Sequence, residues 1–307
     1  MISSQKLVQK IKLGDIYQNI YKSISPVLFD VSLRDGIQNA ECEKFDTHVK
    51  KQIFHNIMDT QVPQYLEIGS LASFRFLPIM KDTVPLYHYT KEYVEKNNKN
   101  TQTCVLVPSL SKLNAAFLMN LTHYSFITSV SNRFQLKNIC KTLEDTKKEL
   151  NTMCHRINEK YGSQKIYKKL YISCITHCPI EGEIPNDFIV DELMYYNQYP
   201  FDELCMSDTC GKLTLDNFSY IMEKAFTLGI SRSKISIHIH VSGENREEIR
   251  KILFYCFDNK INKFDVSVLE YGGCNMTLCE TVSNLSYELF YSILYEYILA
   301  KVGKKLD

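Results

Sequence analysis

Short apolar runs alternate with longer amphipathic stretches along almost the whole chain, and this alternation constrains the fold more than any other feature. Candidate strands are Val27–Val31, Gln64–Ile68, Thr103–Val107, Tyr124–Thr128, Leu170–Cys174, Glu203–Ser207, Ile235–His240 and Phe264–Leu269. Each is short, apolar and rich in β-branched or aromatic residues, as buried strands are. Helical spacing of apolar residues runs over Thr47–Thr60, Ser73–Lys81, Ser111–Asn120, Leu136–Lys160, Asp187–Tyr196, Leu215–Leu228 and Gly243–Phe257, with a last helical stretch over Thr277–Val302. Eight strands with intervening helices, and no Pro/Gly-rich linker between them, predict an α/β protein built as a (β/α)8 TIM barrel with extra C-terminal helices. A single domain over residues 1–307 is expected, its barrel at about 25–285 and its terminal helical stretch at about 277–302. A doubly wound open sheet is the alternative. It needs fewer strands and usually opens on a Gly-rich first turn, which this chain lacks.

Charge and cysteine usage exclude several classes. Lysines and arginines are scattered among nearly as many acids, for a formal charge of +1. No basic stripe marks a nucleic-acid surface. No window approaches the roughly eighteen apolar residues of a membrane span. The first 25 residues hold lysines but no arginine, carry Asp15 and lack an apolar core. They predict neither a secretory signal nor a transit peptide, so cytoplasmic residence is expected, with mitochondria as the alternative. Eleven cysteines, an odd number, are spread without the regular spacing of a disulfide framework, which fits free thiols in a reducing compartment. The pairs Cys174/Cys178, Cys205/Cys210 and Cys274/Cys279 lack the CxxC spacing of structural zinc sites.

In a barrel, chemistry gathers where the strands end and the βα loops begin. Unusual polar residues fall at those ends: Arg34 and Asp35 after the first strand, Glu67 at the end of the second, Asp208 after the sixth, His238 and His240 in the seventh, and Cys274-Asn275 after the eighth. His238 and His240 are two apart, so a strand projects both imidazoles from one face. With Asp35 and Asn275 they make two nitrogen and two oxygen donors, a set suited to Mg²⁺ or Mn²⁺ and less to Zn²⁺. Asp35 is equally suited to capping the turn at Gly36–Asn39. Arg34 offers a permanent cation for a developing enolate oxygen, or an ion pair with Glu67, and the two roles are compatible. Asp208 is either a proton carrier or a cap ahead of the helix beginning near Thr214. Cys274, after two glycines, is either an acid/base thiol or one more structural cysteine.

Several segments taken in order resemble one family. Leu33-Arg-Asp-Gly-Ile-Gln-Asn39 is similar to the first-strand signature of 3-hydroxy-3-methylglutaryl-CoA lyases, within the DRE-TIM metallolyase superfamily. The likeness continues through Glu67–Met80, Val107–Leu110, Ser131–Phe134 with Lys137-Asn138, Cys174–Gly182, Ser207–Thr209 with Gly211, and Gly272–Cys274. The resemblance implies Asp35, His238, His240 and Asn275 as metal ligands, Arg34 as electrophile oriented by Glu67, Asp208 as acid/base, and Cys274 as the loop thiol that exchanges a proton with substrate. It implies retro-Claisen cleavage of a 3-hydroxy acyl-CoA to acetyl-CoA and a keto acid, in a homodimer. The chain departs from the pattern in three places. Val241-Ser242 follows His240 in place of Asp-Thr, Glu270 stands for a glycine, and Cys274 abuts Asn275 with no glycine-rich loop between them. An altered substrate or a reduced rate is therefore expected. The alternatives are an aldolase or Claisen-type enzyme acting on a hydroxy-oxo acid, and a metal-binding relative without catalysis.

Overall fold

The structure, a computed structural model, describes residues 16–269 and 282–306. After a helix over residues 16–24 (α1), strands and helices alternate: β1 (Val27–Asp30), α2 (Thr47–Thr60), β2 (Tyr65–Ser70), α3 (Thr83–Lys96), β3 (Gln102–Leu106), α4 (Leu110–Leu118), β4 (Tyr124–Ser129), α5 (Asn132–Ile139), α6 (Leu143–Tyr161), β5 (Lys168–Ser173), α7 (Asn186–Asn197), β6 (Glu203–Asp208), α8 (Leu215–Thr227), β7 (Ile235–Val241), α9 (Arg246–Asp258), β8 (Lys263–Val266) and α10 (Tyr287–Leu306). Each barrel strand pairs in parallel with the next. β8 closes the ring, pairing with β7 through Lys263↔Ser236 and with β1 from Val27↔Lys263 to Asp30↔Val266. The expected TIM barrel, with its C-terminal helix, is the observed fold. No helix among the described residues is long and apolar enough to cross a membrane.

The main apolar core fills the layer between strands and helices. The barrel interior is different. An aromatic plug of Phe29, Tyr65 and Tyr167 occupies one end, with the two tyrosine rings stacked 4.1 Å apart. Above the plug lie charged groups: Lys169, Glu203, Asp265 and Glu67, none more than 2% exposed. Charges at this depth require partners, since an isolated buried charge is very costly. They have them. Lys169 pairs with Asp265 and Glu203, and Tyr167 donates to Glu203 at 2.6 Å.

Three expected helices are corrected. The expected helix Ser73–Lys81 is a loop ending in a 3-10 turn, Pro78–Met80. Pro78 has no N–H to give a helix, and Phe74 and Phe76 face solvent at 64% and 87% exposure instead of forming a buried stripe. The helix begins at Thr83, a stretch not read as helical. Its tyrosines and β-branched residues are indifferent helix formers, but Leu86, Tyr87, Thr90 and Val94 form one buried face. The expected Leu136–Lys160 is two helices, α5 and α6. Cys140 takes a left-handed conformation at φ 59°, and the Thr142 hydroxyl then caps α6 by accepting from Asp145 N–H. The terminal helix starts at Tyr287, ten residues later than expected, because Ser283–Asn284 pair antiparallel with Val241 and His240. Residues 277–281 lie outside the described residues.

Candidate metal centre

β1 ends at Asp30, and the following turn places Arg34 and Asp35 over the barrel mouth, with Arg34 and Gly36 N–H both donating to Val31 carbonyl. β7, separated from β1 only by β8, brings up His238 and His240. The carboxylate of Asp35 and the imidazoles of His238 and His240 converge, with one donor atom from each lying within 4.8 Å of the others, all three buried. His238 Nε2 and His240 Nε2 stand 3.7 and 3.5 Å from Asp35 Oδ2. The two rings meet edge to face, 4.8 Å between centroids.

The outer nitrogens decide what the inner ones can do. His240 Nδ1 lies 2.8 Å from the Asp208 carbonyl, which only accepts, so Nδ1 carries a proton and Nε2 is the nitrogen turned toward Asp35. His238 Nδ1 meets Asp265 Oδ2 at 3.1 Å. Metal-binding histidines are held in this way, with the outer N–H given to a carbonyl or carboxylate. Electrostatics agree. Burial would lift the Asp35 carboxyl, but Arg34 and the two imidazoles hold it well below the usual carboxylate range. Burial pulls the His240 imidazole down, yet Asp35 and the Asp208 carbonyl leave its pKa raised, so the potential at this point favours a cation. One anion and two neutral nitrogens, spaced and tautomerically set as ligands, fit a divalent ion.

Arg34 bridges this cluster to the barrel interior. It donates to Asp35 Oδ1 at 2.5 Å and to Glu67 Oε2 at 2.6 Å, and its guanidinium lies 4.8 Å over the Tyr171 ring. Glu67 also accepts from Ser125 Oγ and from Tyr171 Oη, the latter at 3.0 Å. With these partners it is fixed and able to hold Arg34 in one geometry. The cluster opens into a cavity of about 170 Å³. One wall is polar, with Arg34, Asp35, His238 and His240. The other is apolar, with Leu77, Leu106, Ile127 and Phe134.

The other expected site residues fall differently. Asp208 does not line this cavity; β6 and its loop present Ser207 and Thr209 instead. The Asp208 carboxylate accepts from Lys212 N–H at 3.0 Å and Leu213 N–H at 3.1 Å in the loop ahead of α8, whose own cap is Thr214, and burial raises its pKa. Cys274, Asn275 and Glu270 lie outside the described residues. Three residues escaped the sequence reading: Tyr171 on the cavity wall, and Lys169 and Asp265 beneath it. The available signal was a charge within an apolar strand. Lys169 precedes Leu-Tyr-Ile, and Asp265 sits between Phe264 and Val266.

Comparison with known proteins finds relatives of one family. Residues 25–242 match the family model described as HMGL-like. The chain is 24% identical to the mitochondrial hydroxymethylglutaryl-CoA lyase of Arabidopsis thaliana over 252 residues, 80% of this chain and 50% of that one. It is 23% identical over 268 residues to the 3-hydroxy-3-isohexenylglutaryl-CoA/hydroxymethylglutaryl-CoA lyase of Pseudomonas aeruginosa, 86% of this chain and 83% of that one. The chain thus spans half the length of the plant relative and most of the bacterial one. Among solved structures, an HMG-CoA lyase from Brucella melitensis superposes with a TM-score of 0.75 at 20% identity, covering 88% of this chain and 90% of that one. An HMG-CoA lyase from Acinetobacter baumannii, in complex with coenzyme A and 3-methylmalate, gives 0.77 at 19% identity, covering 92% and 90%.

Proposed function

The chain belongs to the HMGL-like family, and on that premise we propose that it is a divalent-metal-dependent carbon–carbon lyase that cleaves a 3-hydroxy acyl-CoA to acetyl-CoA and a keto acid. The observation that carries this reading is the convergence of Asp35, His238 and His240 beside a buried arginine on one cavity wall. Asp35, His238 and His240 would hold Mg²⁺ or Mn²⁺, with Asn275 as the fourth ligand by resemblance. The bound ion would act as a Lewis acid toward the substrate hydroxyl or carbonyl.

The chain's own residues supply the rest. Arg34 lies at the polar wall with its charge fixed by Glu67 and Asp35, and would stabilise the enolate oxygen that forms as the carbon–carbon bond breaks. Glu67 is a positioning residue, because Arg34, Ser125 and Tyr171 occupy its oxygens. Asp208 acts through His240, whose ring its carbonyl orients. Cys274 is the candidate proton donor to the enolate by resemblance. The apolar wall would exclude water from that enolate until it is protonated.

The test is a coupled assay for acetoacetate release from 3-hydroxy-3-methylglutaryl-CoA, with and without Mg²⁺ or Mn²⁺. Metal-dependent release is expected, with one ion bound per chain and binding lost in Asp35→Ala or His238→Ala. Protein that stays metal-free at millimolar Mg²⁺ and Mn²⁺ would falsify the reading. Protein that binds metal but releases no acetoacetate would retire this substrate.

A further inference from the structure

We propose that Lys169 and Asp265, inside the barrel beneath the donors, are positioning residues that fix which nitrogen of His238 faces the cavity. The proposal rests on the reading of His238 as a ligand and extends it to two residues that do not touch the site.

Lys169 projects inward from β5 and Asp265 from β8, and both are sealed from solvent, at 0% and 2% exposure. The Lys169 ammonium pairs with Asp265 Oδ1, stands 3.2 Å from Glu203 Oε1, and lies 3.7 Å over the Phe29 ring. It therefore occupies a fixed place set by strands on three sides of the ring. Asp265 Oδ1 is committed to it, which leaves Oδ2 for His238 Nδ1 at 3.1 Å and for a weak contact from Cys205 Sγ at 3.9 Å. A carboxylate paired with an ammonium only accepts, so His238 must carry a proton on Nδ1, which leaves Nε2 as the nitrogen turned toward Asp35 and the cavity. The Tyr171 ring, edge-on at 5.8 Å, packs against the imidazole and limits its rotation.

Lys169 gives the arrangement its direction. Substitution Asp265→Asn preserves size and shape but puts one acceptor and one donor where two acceptors were. The ammonium cannot face an amide NH2, so the Asn oxygen turns to Lys169 and the NH2 turns to His238. Nδ1 must then accept, and the proton moves to Nε2, the nitrogen that has to ligate. Replacing Lys169 in addition frees the amide to turn, returning its oxygen to His238.

The experiment uses the full chain, metal-free, labelled with ¹⁵N-histidine, with the His238 signals assigned from a His238→Gln control. NMR should show a proton on Nδ1 of His238 in the wild type and none there in Asp265→Asn. Mn²⁺ affinity by titration calorimetry should fall by about 10–100-fold in Asp265→Asn, the usual effect of losing such a partner. Lys169→Met/Asp265→Asn should regain the Nδ1–H tautomer and part of the affinity. A wild-type His238 with no proton on Nδ1 overturns the proposal without any variant, and so does an Asp265→Asn protein that keeps that proton and its affinity. A wild type with Nδ1–H that binds no Mn²⁺ overturns the ligand reading alone, and the tautomer inversion in Asp265→Asn still decides the relay.

Discussion

Arg34 shows how one side chain can connect a reaction centre to a barrel interior. Burial opposes its charge, but Glu67, Tyr171 and Asp35 outweigh burial and hold the guanidinium well above its ordinary pKa. A planar fork is needed to reach Glu67 through Nε and Asp35 through Nη1 at once, and a lysine ammonium has no such geometry. Arg34→Lys should lower turnover by about 10²–10³-fold, the cost of losing one oriented donor to an oxyanion. Mn²⁺ affinity should stay within a few-fold, because guanidinium does not ligate. Turnover near wild type would reduce Arg34 to a structural ion pair. Arg34, Asp35 and the two histidines were legible because they are strongly polar residues near strand ends, and Glu67 because it was read as the end of a strand that in fact continues to Ser70. Tyr171, Lys169 and Asp265 lie within strands, where only the phase of the barrel tells inward from outward.

At the scale of elements, the junction between α5 and α6 separates local sequence preference from packing. Apolar spacing runs through Leu136–Lys160 without interruption, yet Cys140 adopts φ 59° and its N–H returns to the Leu136 carbonyl. A side chain in this conformation costs about 1 kcal/mol that glycine avoids. Cys140 is exposed, so little packing is lost on replacing it. Cys140→Gly should raise unfolding free energy by about 0.5–1 kcal/mol, read as a shift in the urea midpoint. A lower midpoint would mean that the thiol makes contacts outweighing the strain. The helix at Thr83–Lys96 is the converse case. Weak local preference is overridden by a buried face against β2 and β3.

For the molecule as a whole, Asp30 ties the barrel to its terminal helix. Its carboxyl accepts from Ser32 N–H at 2.8 Å and from Tyr287 Oη of α10 at 2.9 Å. Burial, only partly offset by these donors, pushes its pKa up to about 6 from 3.8. The sign follows from proton uptake. Between pH 4 and 6 the folded protein holds a proton that the unfolded chain releases, so this group's contribution to stability is present below pH 4 and is lost as pH rises toward 6. The loss amounts to about 3 kcal/mol at neutral pH. Asp30→Asn removes the titration. Its stability relative to wild type should therefore improve on going from pH 4 to pH 7, measured by denaturant unfolding at both. A difference between the two proteins that does not vary with pH would show that Asp30 is not buried as an acid.

The sequence by itself determined the class of fold and the residues at the strand ends. Apolar runs of strand length separated by helical stretches have few ways to bury both faces, and closing the sheet is one of them. Two histidines two apart on a strand must share a face whatever surrounds them. Only the tertiary structure decided which atoms those residues present. Asp208 was read as a proton carrier, with capping as the alternative; the loop after β6 supplies backbone N–H groups to both its oxygens, and its main-chain carbonyl faces His240. The tautomer of His238 depends on Asp265, 27 residues away, and on Lys169, a further 96 from Asp265. No local pattern carries that information, because it arises from the closure of β5 and β8 around one interior, where every buried charge must find its partner.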